Sequence, residues 1–188
     1  MSHTILLTSF DIWLPHHTSN SSDDLLAEIE QSKQFTGHLS FLRKLPVDIS
    51  LASNQVINQL EQLQPVGIIC CGMAEKREQL TIESCATCQD NMLKTSVNLE
   101  RLVLSLAETE ISHDAGKFVC EGLYYQLLKH LRDQQLTTFC LFVHVPVLNP
   151  TNRTGIKTDF CLLIEQFIYS AINPPSKSLR FSSDLICQ

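Results

Sequence analysis

The sequence is short of the residues that would place it in several large classes. Glycine occurs only six times in 188 residues, and the six are dispersed. Neither GxGxxG nor GxxxxGK[ST] occurs, so the backbone cradles that hold phosphates have no candidate, and Gly72 after an apolar run is the one hint of a nucleotide-binding α/β domain. Lys and Arg number 14 against 20 Asp and Glu, a net charge of −6 with no basic stripe. A nucleic-acid surface is thereby disfavoured. No apolar run approaches the roughly 20 residues that span a bilayer, so no membrane partner is expected. The longest, Phe139 to Leu148, is interrupted by His144 and Pro146 and reads as a buried strand. The first ten residues, MSHTILLTSF, carry no basic segment and no small-residue cleavage site, which predicts no export signal and a cytoplasmic location.

Cysteine, in contrast, is abundant, with eight residues. Cys70, Cys71, Cys140 and Cys161 lie inside apolar runs, where a free Cys behaves as a small buried hydrophobe. Without an export signal they are expected to be reduced. Cys85-Ala86-Thr87-Cys88 is a lone CxxC, a weak zinc or redox signal without a second pair or a thioredoxin-like context. No metal and no cofactor is expected.

With 44% hydrophobic and 18% charged residues, the chain suits one well-buried domain, expected over residues 1–173, followed by an irregular Pro- and Ser-rich tail over 174–188. Continuous apolar runs at Thr4–Thr8, Val66–Cys71 and Thr138–Val145 predict strands covered on both faces, with a shorter extended stretch at Leu45–Ile49. Helical periodicity predicts helices at Ser22–Gln31, Asn54–Leu63, Asn98–Leu106, Cys120–Leu131 and Asp159–Ile172. The alternation implies an α/β fold, a three-layer α/β/α sandwich with a largely parallel central sheet. Ligands in such folds bind at the carboxyl ends of strands, which directs attention to Ser9–Ser21, Gly72–Glu83 and the stretch after Val143.

Three residues could carry chemistry, two of them, Glu83 and His144, in those stretches. Cys120 ends the run Ala115-Gly116-Lys117-Phe118-Val119-Cys120 and opens a helix, where free N–H groups favour a thiolate and can stabilise an oxyanion. His144 lies near the end of an apolar strand closed by Pro146, and a buried imidazole there needs a partner. Glu83 follows Leu80-Thr81-Ile82 and could orient that imidazole. Each also has an ordinary reading, as a buried thiol, a satisfied core histidine and a solvated carboxylate. His3, His16, His17, His38, His113 and His130 fall at the terminus, in loops or on a helix and are weaker candidates.

Together the segments resemble the pyroglutamyl peptidases (pyrrolidone carboxyl peptidases). Thr8-Ser9-Phe10-Asp11-Ile12-Trp13 is similar to that family's Thr-Gly-Phe-Glu-Pro-Phe, and Asn20-Ser21-Ser22 to its Asn-Pro-Ser. Gly72-Met73-Ala74-Glu75-Lys76-Arg77 with Thr81-Ile82-Glu83 resembles the segment ending in its catalytic Glu. Ser112 to Cys120, with Tyr125 beyond, resembles the nucleophile motif, and Phe142-Val143-His144-Val145-Pro146 the His segment. The resemblance implies an α/β/α sandwich and a metal-free omega peptidase that removes an N-terminal pyroglutamyl residue. It implies Cys120 as nucleophile, His144 as base and Glu83 as orienter, with Phe10, Trp13, Phe118 and Val119 around the lactam ring. The expected partner is a peptide with a blocked N-terminus or a small amide, and a homo-oligomer is left open. Departures stand beside the match: Ser84 replaces a basic residue, Thr87-Cys88 a hydrophobic-Asn pair, and Leu14-Pro15 a Gly pair. Trp13 is larger than Phe, Met73 replaces a Gln found in some members, and the stretch from Cys88 to Lys94 is shorter. Glu121 stands where Asn or Asp is usual, and a carboxylate beside Cys120 is expected to oppose thiolate formation. These departures support the alternative of a non-catalytic or altered-specificity relative that binds a small ligand or partner.

Overall fold

The computed structural model describes residues 4–173. The expected tail over 174–188 lies outside the described residues, as does His3.

Thirteen elements are described. In chain order they are β1 (Ile5–Phe10), α1 (Ser21–Ser32), β2 (Leu39–Leu45), α2 (Ile49–Leu63), β3 (Gly67–Met73), β4 (Leu80–Glu83), β5 (Cys85–Cys88), β6 (Asn91–Lys94), α3 (Leu99–Val103), β7 (Thr109–Ser112), α4 (Val119–Asp133), β8 (Phe139–Val145) and α5 (Arg153–Ile172). Six strands form one sheet in the order β2-β1-β3-β8-β4-β7, and β5 and β6 form a separate antiparallel hairpin. Every neighbouring pair in the sheet is parallel except β4 with β8.

The continuous apolar strands are buried on both faces, and their alternate residues feed two cores. Ile5 and Leu7 of β1, Ile69 and Cys71 of β3, and Leu141, Val143 and Val145 of β8 pack with α1, α3 and α5. Leu6 and Phe10, Ile68 and Cys70, and Cys140 and Phe142 pack with α2 and α4. The period of two along a strand thus sorts each run between the two helical layers, completing the α/β/α sandwich. The described cysteines are free, and Cys70, Cys71 and Cys140 fill the strands as small buried side chains. Between β1 and β3 the connections reverse direction, since β1 leads through α1 to β2 and β2 returns through α2 to β3 on the other side. Such a switch point leaves a crevice at the strands' carboxyl ends.

Several elements differ from the sequence reading. The extended stretch at Leu45–Ile49 is instead the end of edge strand β2 and the start of α2, whose N-cap Asp48 accepts from the Leu51 N–H at 2.8 Å. β2 is only partly buried, and its Arg43 reaches across to clamp Asp23 in the first turn of α1 with two 2.9 Å bonds. Such a strand lacks the continuous apolar signature of a buried one. Helix α5 begins at Arg153, well before Asp159. The Asp159 carboxylate does not cap it but accepts from the Ala107 N–H at 3.2 Å and the Thr109 hydroxyl at 2.9 Å, tying down the entry to β7. The short strands β4 and β7 and the β5–β6 hairpin have too few residues for periodicity to reveal.

Candidate active site

The site is assembled around Gly72, near the end of β3. Gly72 pairs in register with His144 on β8, and His144 pairs on its other side with Thr81 of β4. On the face covered by α4, a Cβ at Gly72 would lie 2.7 Å from the Cys120 sulfur and 3.1 Å from the Phe142 ring. The first distance is shorter than non-bonded contact allows, so the thiol rests against β3 only because residue 72 has no side chain. His144 shares that face with Phe142, two residues earlier, and their ring centroids are 4.9 Å apart. Cys120, Phe142 and His144 therefore converge over one glycine.

Glu83 reaches the same place from the other direction. Because β4 runs antiparallel to β8, pairing Thr81 with His144 and Ile82 with Val143 sends Glu83 inward from the strand edge, where it is fully buried. Its Oε1 lies 2.7 Å from His144 Nδ1. A carboxylate only accepts, so Nδ1 carries the proton and Nε2 is left as the basic nitrogen. The Tyr124 hydroxyl donates to the Glu83 carbonyl at 3.1 Å and fixes the strand end from beneath.

Arg77 is a member of this group that sequence reasoning quoted in its motif but gave no role. Its Nη1 donates to Glu83 Oε1 at 2.8 Å and also to Thr81 Oγ1, while Nη2 donates to the Asp114 carbonyl at 2.8 Å. One guanidinium thus balances the buried carboxylate and holds the loop that leads to Cys120. The signal that could have found it is charge: a fully buried Glu requires a cation or several donors, and Arg77 lies within one short loop of it.

The nucleophile candidate sits at the second residue of α4. The N-cap, Phe118, contributes no side-chain hydrogen bond, so the first-turn N–H groups are not claimed by a capping side chain. Gly116 enters this turn with φ of +90°, and the Asp114 carboxylate accepts from its N–H at 2.9 Å. The Cys120 thiol is pushed up to about 12, first by burial and next by the charge of Glu83 facing it, with Arg77 acting in the opposite direction. Cys120 and His144 line one cavity, yet no hydrogen bond joins the thiol to the ring. The thiol is thus the neutral form at neutral pH, and it needs a base at the moment of attack.

That cavity, of about 210 Å³, is also lined by Phe10, Trp13, Phe118 and Val119, the four residues expected to surround a ring, and by Asn20, Val47, Met73, Ala115, Gly116 and Lys117. Trp13 and Phe118 are about half exposed and pack against each other at its mouth, ring centroids 4.8 Å apart. Phe10 and Val119 are buried beneath them.

The expectation for Glu121 is corrected. Its carboxylate accepts from the backbone N–H of Thr87 at 3.0 Å and from the Thr87 hydroxyl, which turns it toward the hairpin. The leading causes of the raised thiol are burial and the charge of Glu83. Cys85 and Cys88 do not form a paired site either: Cys85 is buried, Cys88 is exposed, and a three-residue step along β5 places them on opposite faces.

With the geometry in view, comparison with known proteins is informative. A sequence model described as pyroglutamyl peptidase matches residues 94–160, a span that includes Cys120 and His144 and begins after Glu83. The chain is 25% identical over 167 residues to a pyrrolidone-carboxylate peptidase of Oceanobacillus iheyensis, covering 76% of this chain and 83% of that one. It is 24% identical over 171 residues to the protein of that name from Bacillus cytotoxicus, covering 77% and 79%. Among solved structures, pyroglutamyl peptidase I of Bacillus amyloliquefaciens superposes with a TM-score of 0.77 at 20% identity, over 91% of this chain and 97% of that one. Pyrrolidone carboxyl peptidase of Thermococcus litoralis does so with a TM-score of 0.74 at 16% identity, over 89% and 94%. At those identities the structural likeness establishes the fold. The chain resembles pyroglutamyl peptidases in sequence and shares their architecture.

Proposed function

We propose that the chain is a pyroglutamyl peptidase that cleaves an N-terminal pyroglutamyl residue from peptides through Cys120, His144 and Glu83. The observation that carries this reading is the junction at Gly72, where the thiol, the imidazole and the carboxylate meet at the end of one ring-sized cavity. In the reaction, His144 Nε2 accepts the Cys120 proton as sulfur attacks the lactam-bearing carbonyl carbon. The oxyanion that forms is stabilised by first-turn N–H groups of α4. The carbonyl re-forms as the C–N bond to the peptide breaks, with the imidazolium returning its proton to the departing amine. Water, deprotonated by His144, then attacks the thioester carbonyl, the C–S bond breaks to release pyroglutamic acid, and the imidazolium returns the proton to the Cys120 sulfur. Glu83, neutralised by Arg77 at rest, holds the tautomer and stabilises the imidazolium. Phe10 and Val119 below, with Trp13 and Phe118 above, offer apolar surface to the lactam ring.

The non-catalytic reading drew on Glu121 and the short hairpin. The Glu121 carboxylate accepts from Thr87 and is turned toward the hairpin, which weakens the first of these grounds.

The test is hydrolysis of a pyroglutamyl reporter amide. Cys120→Ala is expected to lower kcat/KM by about 10⁴-fold or more at unchanged fold. Wild-type chain that is folded yet inert on pyroglutamyl amides, or Cys120→Ala that retains the wild-type rate, overturns the assignment.

A further inference from the structure

Beside the cavity, and taking no part in the chemistry above, the side chains of His16, His17 and Glu75 meet. One ligand-capable atom from each lies within 4.8 Å of the other two. The sequence arranges this locally. Pro15 occupies the second position of a turn closed by the His17 N–H on the Leu14 carbonyl at 3.0 Å, a position its fixed φ suits. The turn presents two consecutive imidazoles whose centroids are 4.3 Å apart, both directed at the loop after β3. His16 Nε2 lies 3.3 Å from Glu75 Oε1, and His17 Nε2 contacts the same oxygen.

The His17 side chain is only 9% exposed, so its ring is held with Nε2 against Glu75 before any ion arrives. Two imidazoles and a carboxylate oxygen are the donor set of zinc-type sites that keep a fourth position open. Bonds of about 2.0–2.1 Å to a tetrahedral ion hold ligand atoms about 3.3 Å apart, the separation of His16 Nε2 from Glu75 Oε1, while His17 must withdraw from the oxygen it now touches to admit the ion.

We propose that His16, His17 and Glu75 bind a divalent transition-metal ion of the zinc type, clipping the first loop to the loop after β3. The ion would lie at the rim and touch neither Cys120 nor His144. Trp13, three residues before His16, and Met73, two before Glu75, both line the cavity. Occupancy therefore fixes the cavity's mouth in one arrangement. The proposal is independent of whether the chain hydrolyses pyroglutamyl peptides.

Trp13 is the only tryptophan in the sequence, so intrinsic fluorescence reports the site directly. The experiment titrates the full, reduced chain with Zn²⁺ while following that emission, and records the absorption spectrum with Co²⁺ in its place. Expected are a saturable change at one ion per chain and a Co²⁺ spectrum without thiolate charge transfer. His16→Ala removes an exposed imidazole and Glu75→Gln only the charge of an exposed carboxylate, so folding is spared, and each is expected to weaken binding at least about tenfold. An unchanged emission up to millimolar Zn²⁺ overturns the proposal. So does affinity equal to wild type in both variants, or thiolate charge transfer, which would move the ion to a cysteine.

Discussion

The floor of the Cys120 cavity is made by strand register, with Gly72, His144 and Thr81 side by side and Glu83 one step further in. Its rim is made by loops, with Trp13 on one segment, Phe118 on another and Glu121 drawn away to a hairpin. The floor is buried, and Arg77, His144 and Tyr124 engage Oε1 and the carbonyl of Glu83, while its Oε2 is buried without a partner. The rim exposes large apolar side chains to solvent. A displacement in the floor must propagate through a packed sheet, whereas the rim can change residue by residue. This chain departs from the resembling family mainly at the rim, at Trp13, Leu14-Pro15, Met73 and the segment after Glu83.

Substitutions can break that comparison, and the largest effects belong to the floor. Glu83→Gln is expected to cut hydrolysis by about 10³–10⁴-fold, because the amide can offer its NH₂ to Nδ1 and leave the imidazole in the wrong tautomer. The same change removes a negative charge that raises the thiol, so Cys120 becomes more acidic and its alkylation by iodoacetamide faster at a given pH. Alkylation that slows instead would show that Glu83 acts on sulfur otherwise than through its charge. Gly72→Ala places a methyl group where the sulfur rests. Steady-state kinetics should show kcat falling on the order of 10²-fold as the thiol is displaced by about an ångström, with KM little changed. An active Gly72→Ala enzyme would mean that the thiol works from another position.

Arg77→Gln should lower kcat by roughly tenfold while the chain stays folded. Its loss removes the cation that partly offsets Glu83, so the alkylation profile of Cys120 moves to higher pH, the opposite direction from Glu83→Gln. At the rim, Trp13→Ala is expected to raise KM by about tenfold with kcat within twofold, the pattern of lost uniform binding. A fall in kcat there, matching that of the floor variants, would erase the distinction between the two regions.

How much of this was legible beforehand follows the same division. The runs at β1, β3 and β8 are covered on both faces, so composition alone marks them, and their carboxyl ends locate the crevice. His144 is conspicuous as the polar member of such a run, and Cys120 follows from the turn at Gly116. The resemblance adds Phe10, Trp13, Phe118 and Val119, and the cavity gathers all four. What escaped is what depends on pairing across the chain. The role of Arg77 appears only once Glu83 is seen to be buried beside it. The direction of Glu121 depends on Thr87, which lies on a strand too short to reveal itself. The reading of Asp159 as a helix start failed because Asp caps any free N–H groups nearby, and here they belong to the loop before β7.

The reversed direction of β4 has a consequence for how such a chain can vary. A strand that enters at the crevice and runs inward delivers its last residue to the interior, so everything after Glu83 leaves from beneath the imidazole. The Ser84 N–H is held by the Ser112 carbonyl at 2.8 Å, and the hairpin that follows packs against α4 by way of Ala86 and Leu93. Length can be added to or removed from that hairpin while the carboxylate keeps its place. The reversal works as a firebreak: drift on the far side of Ser84 stops before it reaches the Glu83–His144 pair.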